Sequence, residues 1–468
     1  MKLDIAFVHY IFGTKGGVNS VVFANAKALL DIHKDATIFF VGSIKSPLIE
    51  RNSRVHHIDV PELDISKEIE VGFVEKNVFD YMREGLKIYR KLKKILKDKD
   101  VIIFENPNLA ANPPATYAFY LLAKKLSAQD SKTKVVFRTH DFVEDRDVNF
   151  NNILKFTGVE EGPYWHKILF PKLRNIRYVI INSTDRKRLW GHGIVEEGLV
   201  HYIPNPINEV LMHKDNGFPK KLRGKLVKKY NLKKNTKFIF YPVRIVSRKN
   251  IEEAIFLTML LRHLLGENYW LVISLRTGKK IDDDYASTLD NYVKKHKLPV
   301  ILGINEYVGL MRKITPSGEL KHFGISDAYS MSDFVISTSI LEGFGLFFIE
   351  SWFFHKLIIG RDLPYVTEDF KKAGINLQHL YTNLIVNGKD FKDYTIAQKF
   401  SFISRLSSPK FLNQVIEENK HSLIAIQTIL NEVNRKQIIR KNRKVVLKTY
   451  GQRKIARKII DIAKIKLN

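Results

Sequence analysis

Two short stretches carry side chains suited to holding an anion attached to a sugar. The first is LEGFGLFFIESW, where Glu342 and Glu350 bracket Gly343, Phe344, Gly345 and Leu346. The apolar run before it reads as a strand and the residues after it as a helix, so the glycines fall in a strand-to-helix turn. Glycine there lets backbone N–H groups approach a ligand, because no Cβ stands in the way. A helix opening near Gly345 would aim its positive end at the same place, which suits a phosphate. Carboxylates accept paired hydrogen bonds from vicinal hydroxyls, so the E-x7-E acids suit a sugar or ribose. The glycines alone fit an ordinary tight turn with solvated acids. The second stretch is FYPVRIVSRKN, with Arg244, Arg248 and Lys249. Cations beyond a strand's carboxyl end can neutralise a diphosphate and stabilise the charge that develops when it leaves. Plain surface charge is the alternative in so basic a chain.

The first half holds weaker signals. In FGTKGGVNSVV, Gly13, Gly16 and Gly17 follow an apolar run, and Asn19 or Ser20 is placed to cap the next helix. The pattern is neither G-x-G-x-x-G nor G-x4-G-K-[ST], so it indicates neither dinucleotide nor P-loop binding. In VVFRTHDFVEDR, His140 ends a strand-like run beside Asp141, with Arg138, Glu144, Asp145 and Arg146 nearby. FENPNLAANPPATY, with Glu105 and Asn106, reads first as a capped loop and second as an acceptor-side element. Asp282, Asp283 and Asp284, and separately Asp145 and Asp147, match the letters of a metal-binding D-x-D. The first group reads better as acid complementing a helix start, and no metal is assigned.

These residues need a frame that brings strand ends together. Continuous apolar runs at 3–10, 36–42, 100–105, 134–140 and 177–183 alternate with helical patterns. Runs without alternation predict strands buried on both faces, hence a parallel α/β sheet. YIPNPIN (202–208) reads as a linker, and the pattern restarts at 237–243, 269–275, 299–304, 333–339 and 356–362. The expected fold is α/β, with two Rossmann-like domains facing a central cleft. The expected division is 1–205, 206–430 and a tail, 431–468, of basic helices packing back on the first domain. Ligands in such sheets bind beyond the carboxyl ends of the strands.

The chain has 468 residues, 45% hydrophobic and 27% charged, with no cysteine. That composition is globular and excludes disulfides and thiolate chemistry. The start reads as a core strand rather than a signal, and no uncharged apolar run reaches membrane-spanning length. A cytoplasmic protein is expected. The net charge of +28 favours an anionic partner. Residues 77–100 show an apolar stripe at Met82, Leu86, Tyr89, Leu92 and Leu96 among many lysines. That stripe either packs on a sheet or lies on an acidic membrane at the inner face. No nucleic-acid-reading module is present, so nucleic acid is not an expected partner.

The R-x4-K loop followed by E-x7-E, both at strand-to-helix junctions, resembles the nucleotide-sugar-dependent retaining glycosyltransferases of family 4 (group 1), with the GT-B fold. The glycine-rich first loop, mid-chain crossover and basic terminal helices are similar too. The resemblance implies transfer of a hexosyl group from a nucleotide-diphosphate sugar to an acceptor hydroxyl of a glycan, lipid or small molecule, with no cofactor. It implies that Arg244 and Lys249 bind the donor diphosphate. It places Gly345 and its neighbours at phosphate or sugar, Glu342 at the donor sugar or phosphate, and Glu350 at the ribose. It also implies that Gly16 and Gly17 lie over the donor and that His140 orients the sugar's hydroxymethyl group. Residues 306–326 depart from the family's pattern, which leaves the base open. A GT-B epimerase or phosphorylase, and a non-catalytic basic binding protein, are the other classes that the sequence allows.

Overall fold

A computed structural model describes residues 2–14, 16–49, 52–65, 69, 72, 77–129, 131–157, 164–194, 197–212, 217–276, 280–315 and 317–464. The chain forms two compact units, Met1–Asn208 with Tyr450–Asn468, and Glu209–Thr449. The division therefore falls a few residues beyond the expected 205. The tail is split rather than kept whole. Helix Glu432–Tyr450 lies in the second unit up to Thr449, and the chain returns to the first from Tyr450, with helix Gln452–Lys464. The break comes at Gly451, where the Tyr450 carbonyl accepts a bond from the Ile207 N–H at 2.9 Å.

The first unit is built on a parallel sheet: β1 (Leu3–Phe12), β2 (Ala36–Ile44), β3 (Val55–Asp59), β4 (Val101–Glu105), β5 (Lys134–Thr139), β6 (Ile176–Ile180) and β7 (Val200–Tyr202). Their order is β3-β2-β1-β4-β5-β6-β7. The central strands β4, β5 and β6 are buried along their whole length, as their unbroken apolar runs require. On one face lie helices Val78–Leu96 and Pro113–Ala128, capped by Asn77 and Asn112. Helix Val78–Leu96 buries Tyr81, Gly85, Ile88, Leu92 and Leu96. The stripe read from the sequence is thus rotated, and Leu86 is left 37% exposed. Gly85 is needed there: a Cβ would come within 2.8 Å of the Tyr117 ring. The returning helix Gln452–Lys464 packs beside helix Gly17–Ile32 and buries Ile455, Ala456, Ile459 and Ile462.

The second unit has β8 (Lys237–Arg244), β9 (Tyr269–Leu275) and β10 (Val300–Leu302). A small sheet follows, made of β11 (Val308–Gly309), β12 (Lys313–Ile314) and β13 (Leu320–Gly324). Then come β14 (Phe334–Ser337) and β15 (Ile358–Gly360). The main sheet runs β10-β9-β8-β14-β15, all parallel. The small sheet accounts for the unusual segment at 306–326. Among the described residues no helix is long and apolar enough to cross a membrane.

Candidate functional site

In the second unit β8 and β14 are neighbours at the sheet's centre, and the chain leaves them toward opposite edges. That is a topological switch point, where the segments beyond the strand ends part and leave room for a ligand. The two segments are 245–250, which follows Arg244 and carries Arg248 and Lys249, and 338–346, which carries Glu342 to Gly345. The strongest sequence signals therefore meet. Lys249 and Glu342, 93 positions apart, form a buried hydrogen-bonded ion pair. Arg248 Nη1 donates to the Leu341 carbonyl at 2.8 Å and lies 3.6 Å from Glu342 Oε2. Arg244 ends β8, half-buried, after a register shift beyond Tyr241. Pro242 falls within that shift, where a missing N–H is harmless.

The lysine's position is fixed from below. The Lys249 carbonyl accepts from the Tyr241 hydroxyl at 2.9 Å and from Thr338 Oγ1 at 3.2 Å. The Tyr241 oxygen in turn accepts from the Thr338 N–H at 3.1 Å. Asn250 adopts left-handed backbone at φ 48°, which asparagine tolerates. Its amide donates to Glu253 at 2.6 Å, and its oxygen accepts from Lys399 at 2.9 Å. Glu253 is held by Arg361 through two bonds of 3.0 and 2.7 Å, and Arg361 also forks onto Asp390 at 2.9 and 2.7 Å. Sequence reasoning missed Glu253, Arg361 and Asp390. The available signal was the charged pair Arg361–Asp362 directly after the apolar run of β15.

Burial brings the Lys249 ammonium down to about 8, although Glu342 opposes the shift. For Glu342 burial works upward, but Lys249 and Arg248 outweigh it and hold the carboxyl below the usual range. Glu350, on helix Phe347–Phe353, accepts from the Tyr329 hydroxyl at 3.1 Å, and burial pushes its carboxyl up to about 7. That helix has seven residues and starts two positions later than expected. Its dipole is correspondingly small, so side-chain cations rather than a helix tip must supply most of the positive charge. Gly345 sits at φ +69°, and a Cβ there would come within 2.7 Å of the Phe348 ring. Gly345→Ala is expected to lower stability by about 1–3 kcal/mol. A melting curve unchanged from wild type would contradict this placement of the turn.

In the first unit the switch point lies between β1 and β4. His140, just past β5, is buried, with Nε2 at 2.6 Å from Glu105 Oε2. Its N–H and that of Asp141 donate to Asn106 Oδ1 at 3.1 and 2.9 Å. The stretch at 104–117 is therefore more than a capped loop, since its first residues hold His140. Asp145 is engaged by Arg188 through two 3.0 Å bonds. Gly16 is extended at φ −179° and Gly17 opens the helix. Asn19 does not cap that helix. Its side chain instead ties down the preceding loop, accepting from the Gly13 N–H at 3.3 Å and donating to the Ile11 carbonyl at 3.3 Å. Ser20 lies within the same helix and accepts from Asn208. Asp284 lies in the first turns of helix Lys280–Lys295, while the side chains of Asp282 and Asp283 lie outside the described residues. Among the described residues, no cluster of three or more His, Asp or Glu is placed to hold a metal ion.

No protein-family model matches the chain. It is 31% identical over 387 residues to the mannosylglucosyl-3-phosphoglycerate synthase of Petrotoga mobilis, across 79% of this chain and 66% of that protein. It is 26% identical over 405 residues to the mannosylglucosylglycerate synthase of the same organism, across 81% and 86%. The chain thus spans just under two thirds of the first relative and most of the second. Among solved structures, a glycosyltransferase from Rickettsia africae superimposes with TM-score 0.60 at 17% identity, covering 99% of this chain and 98% of that one. Sucrose-phosphate synthase from Thermosynechococcus elongatus gives TM-score 0.60 at 15% identity, covering 98% of each. The fold is GT-B.

Proposed function

We propose that this chain, a GT-B enzyme of the glycosyltransferase class, moves a hexosyl group from a nucleotide-diphosphate sugar to an acceptor hydroxyl with retention, in the manner of family 4. The relatives' names favour a mannosyl donor and a glucosylglycerate-type acceptor, with or without a 3-phosphate. The net charge of +28 suits such an anionic acceptor. One observation carries the reading: Arg248, Lys249 and Glu342 gather at the switch point of the second sheet, beside the strand end that bears Arg244.

In this scheme Arg244 and Lys249 bind the diphosphate, and Glu350 accepts hydrogen bonds from the ribose. The bond from the anomeric carbon to the phosphate oxygen breaks as the acceptor oxygen attacks from the same face. The acceptor's proton passes to the departing phosphate oxygen. The cations stabilise the charge that grows on the leaving group. Glu342 does not serve as a nucleophile, because two cations already engage its carboxylate. No metal or other cofactor is assigned a part.

Incubating the protein with a panel of nucleotide sugars, with and without glucosylglycerate, tests the assignment. Acceptor-dependent release of the nucleoside diphosphate, with the donor's anomeric configuration kept in the product, supports it. Donor consumption without acceptor, or an inverted product, rejects it.

A pH prediction follows from the two shifted groups. Glu350 is charged only above about 7, and Lys249 only below about 8. A charged carboxylate is needed to accept from the ribose hydroxyls, and a charged ammonium to hold the phosphates. The kcat/KM profile is therefore expected to be a narrow bell with limbs near those values, since that ratio reports the free enzyme. Glu350→Gln should abolish the acid limb. A flat profile between pH 6 and 9 would count against both roles.

A further inference from the structure

The first unit holds a buried carboxylate that the scheme above leaves without a task. Glu105 ends β4 with its side chain fully buried. Its Oε2 meets His140 Nε2 at 2.6 Å, and its Oε1 lies 3.7 Å from Arg138 Nη1. Arg138 also donates to Asn205 at 3.0 Å. On the neighbouring strand, the His9 ring bonds to the backbone carbonyl of Glu105 at 3.1 Å. Burial pushes His9 down to about 4, so that ring is neutral. Burial works against the Glu105 charge as well, but the Arg138 charge, then the hydrogen bond from His140, oppose it, and the carboxyl is held below the usual range. A charged carboxylate is an acceptor only, so the His140 nitrogen facing it carries the proton. Among the described residues the hydrogen bonds of His140 run through its backbone N–H and Nε2, and none engages the other ring nitrogen, Nδ1. The ring's backbone is fixed by Asn106, itself in left-handed conformation at φ 62°. All of this stands at the carboxyl ends of β4 and β5, beside the switch point of the first sheet.

We propose that Glu105 is a positioning residue that holds His140 as its Nε2–H tautomer, so that Nδ1 presents a lone pair to a substrate hydroxyl. His140 would then accept a hydrogen bond from that hydroxyl rather than donate one. The carboxylate's task is orientation and tautomer choice, as for any imidazole whose second nitrogen is bonded to an acid. The part that concerns substrate rests on the glycosyl-transfer function proposed above, whereas the tautomer itself does not.

The test has two arms. Histidine-selective 15N labelling of the full chain, with the His140 signals identified by their absence from His140→Gln, reads the tautomer without any sugar nucleotide. A bare Nδ1 and protonated Nε2 at neutral pH support the proposal. A protonated Nδ1, in either a neutral or a doubly protonated ring, overturns it. The second arm uses Glu105→Leu with Arg138→Met. Removing both partners together avoids a stranded buried charge. That variant should lose on the order of 100-fold in kcat, with KM within a few fold. The same pair of changes in a His140→Gln background should cause no further loss, because the roles are coupled. Losses that multiply in full would assign Glu105 a merely structural role. If the double variant fails to fold, the spectrum of the wild-type ring still decides.

Discussion

Under the proposed scheme Lys249→Ala is expected to lower turnover by on the order of 100-fold or more, the loss that follows when one donor to a developing anion is removed from a buried site. The effect is large because Lys249 is 6% exposed, so little water screens what it does to a phosphate. Its backbone cannot drift, since Tyr241 and Thr338 bind its carbonyl. The structure adds a stability cost to this variant. Among the described residues Glu342 would keep only Arg248, 3.6 Å away, as an ion-pair partner, and stranding a buried charge is destabilising by up to about 3–5 kcal/mol. Lys249→Ala should therefore still fold but melt earlier than wild type. Lys249→Ala/Glu342→Gln, which removes the stranded carboxylate, should recover melting temperature without recovering turnover. Near-normal turnover in either variant, measured with the best donor of the panel, would remove Lys249 from the chemistry.

Arg361→Met is expected to destabilise the protein by about 3–5 kcal/mol, because it leaves Glu253 and Asp390 without their shared cation. Arg361 is 2% exposed and donates to both carboxylates and to the Thr382 carbonyl at 2.7 Å. For a unit of this size the melting temperature should fall by roughly 6–20 °C. Activity should fall as well, since Glu253 holds Asn250, which follows Lys249 directly. Arg361→Lys should not rescue, because one ammonium cannot reproduce a fork onto two carboxylates. A melting point within about 2 °C of wild type would show that the triad contributes little.

The sheet centres were legible because a strand buried on both faces must be apolar throughout. β1, β4, β5 and β6, and β8, β9, β14 and β15, all coincide with such runs to within a few residues. β3, VHHID, was missed because it is an edge strand, and its half-exposed side chains allow histidine and aspartate. β7 and the small sheet were missed because strands of two to five residues leave no period to read. At the site, Arg248, Lys249 and Glu342 were readable from local spacing and proved to meet. The placement of the Lys249–Glu342 pair at a switch point followed from strand order, which spacing alone does not supply. Arg361 and Glu253 lie 108 positions apart, and His140 and Glu105 lie 35 apart. No local pattern joins such residues, because the sheet rather than the chain makes them neighbours.

The proposed chemistry stands or falls on where a pyrophosphate sits. Crystals grown with a nucleoside diphosphate should show its phosphates within hydrogen-bond reach of both Arg244 and Lys249, with the ribose hydroxyls at Glu350. A diphosphate bound away from those three side chains, with the Lys249–Glu342 pair undisturbed and facing none of its oxygens, would contradict it.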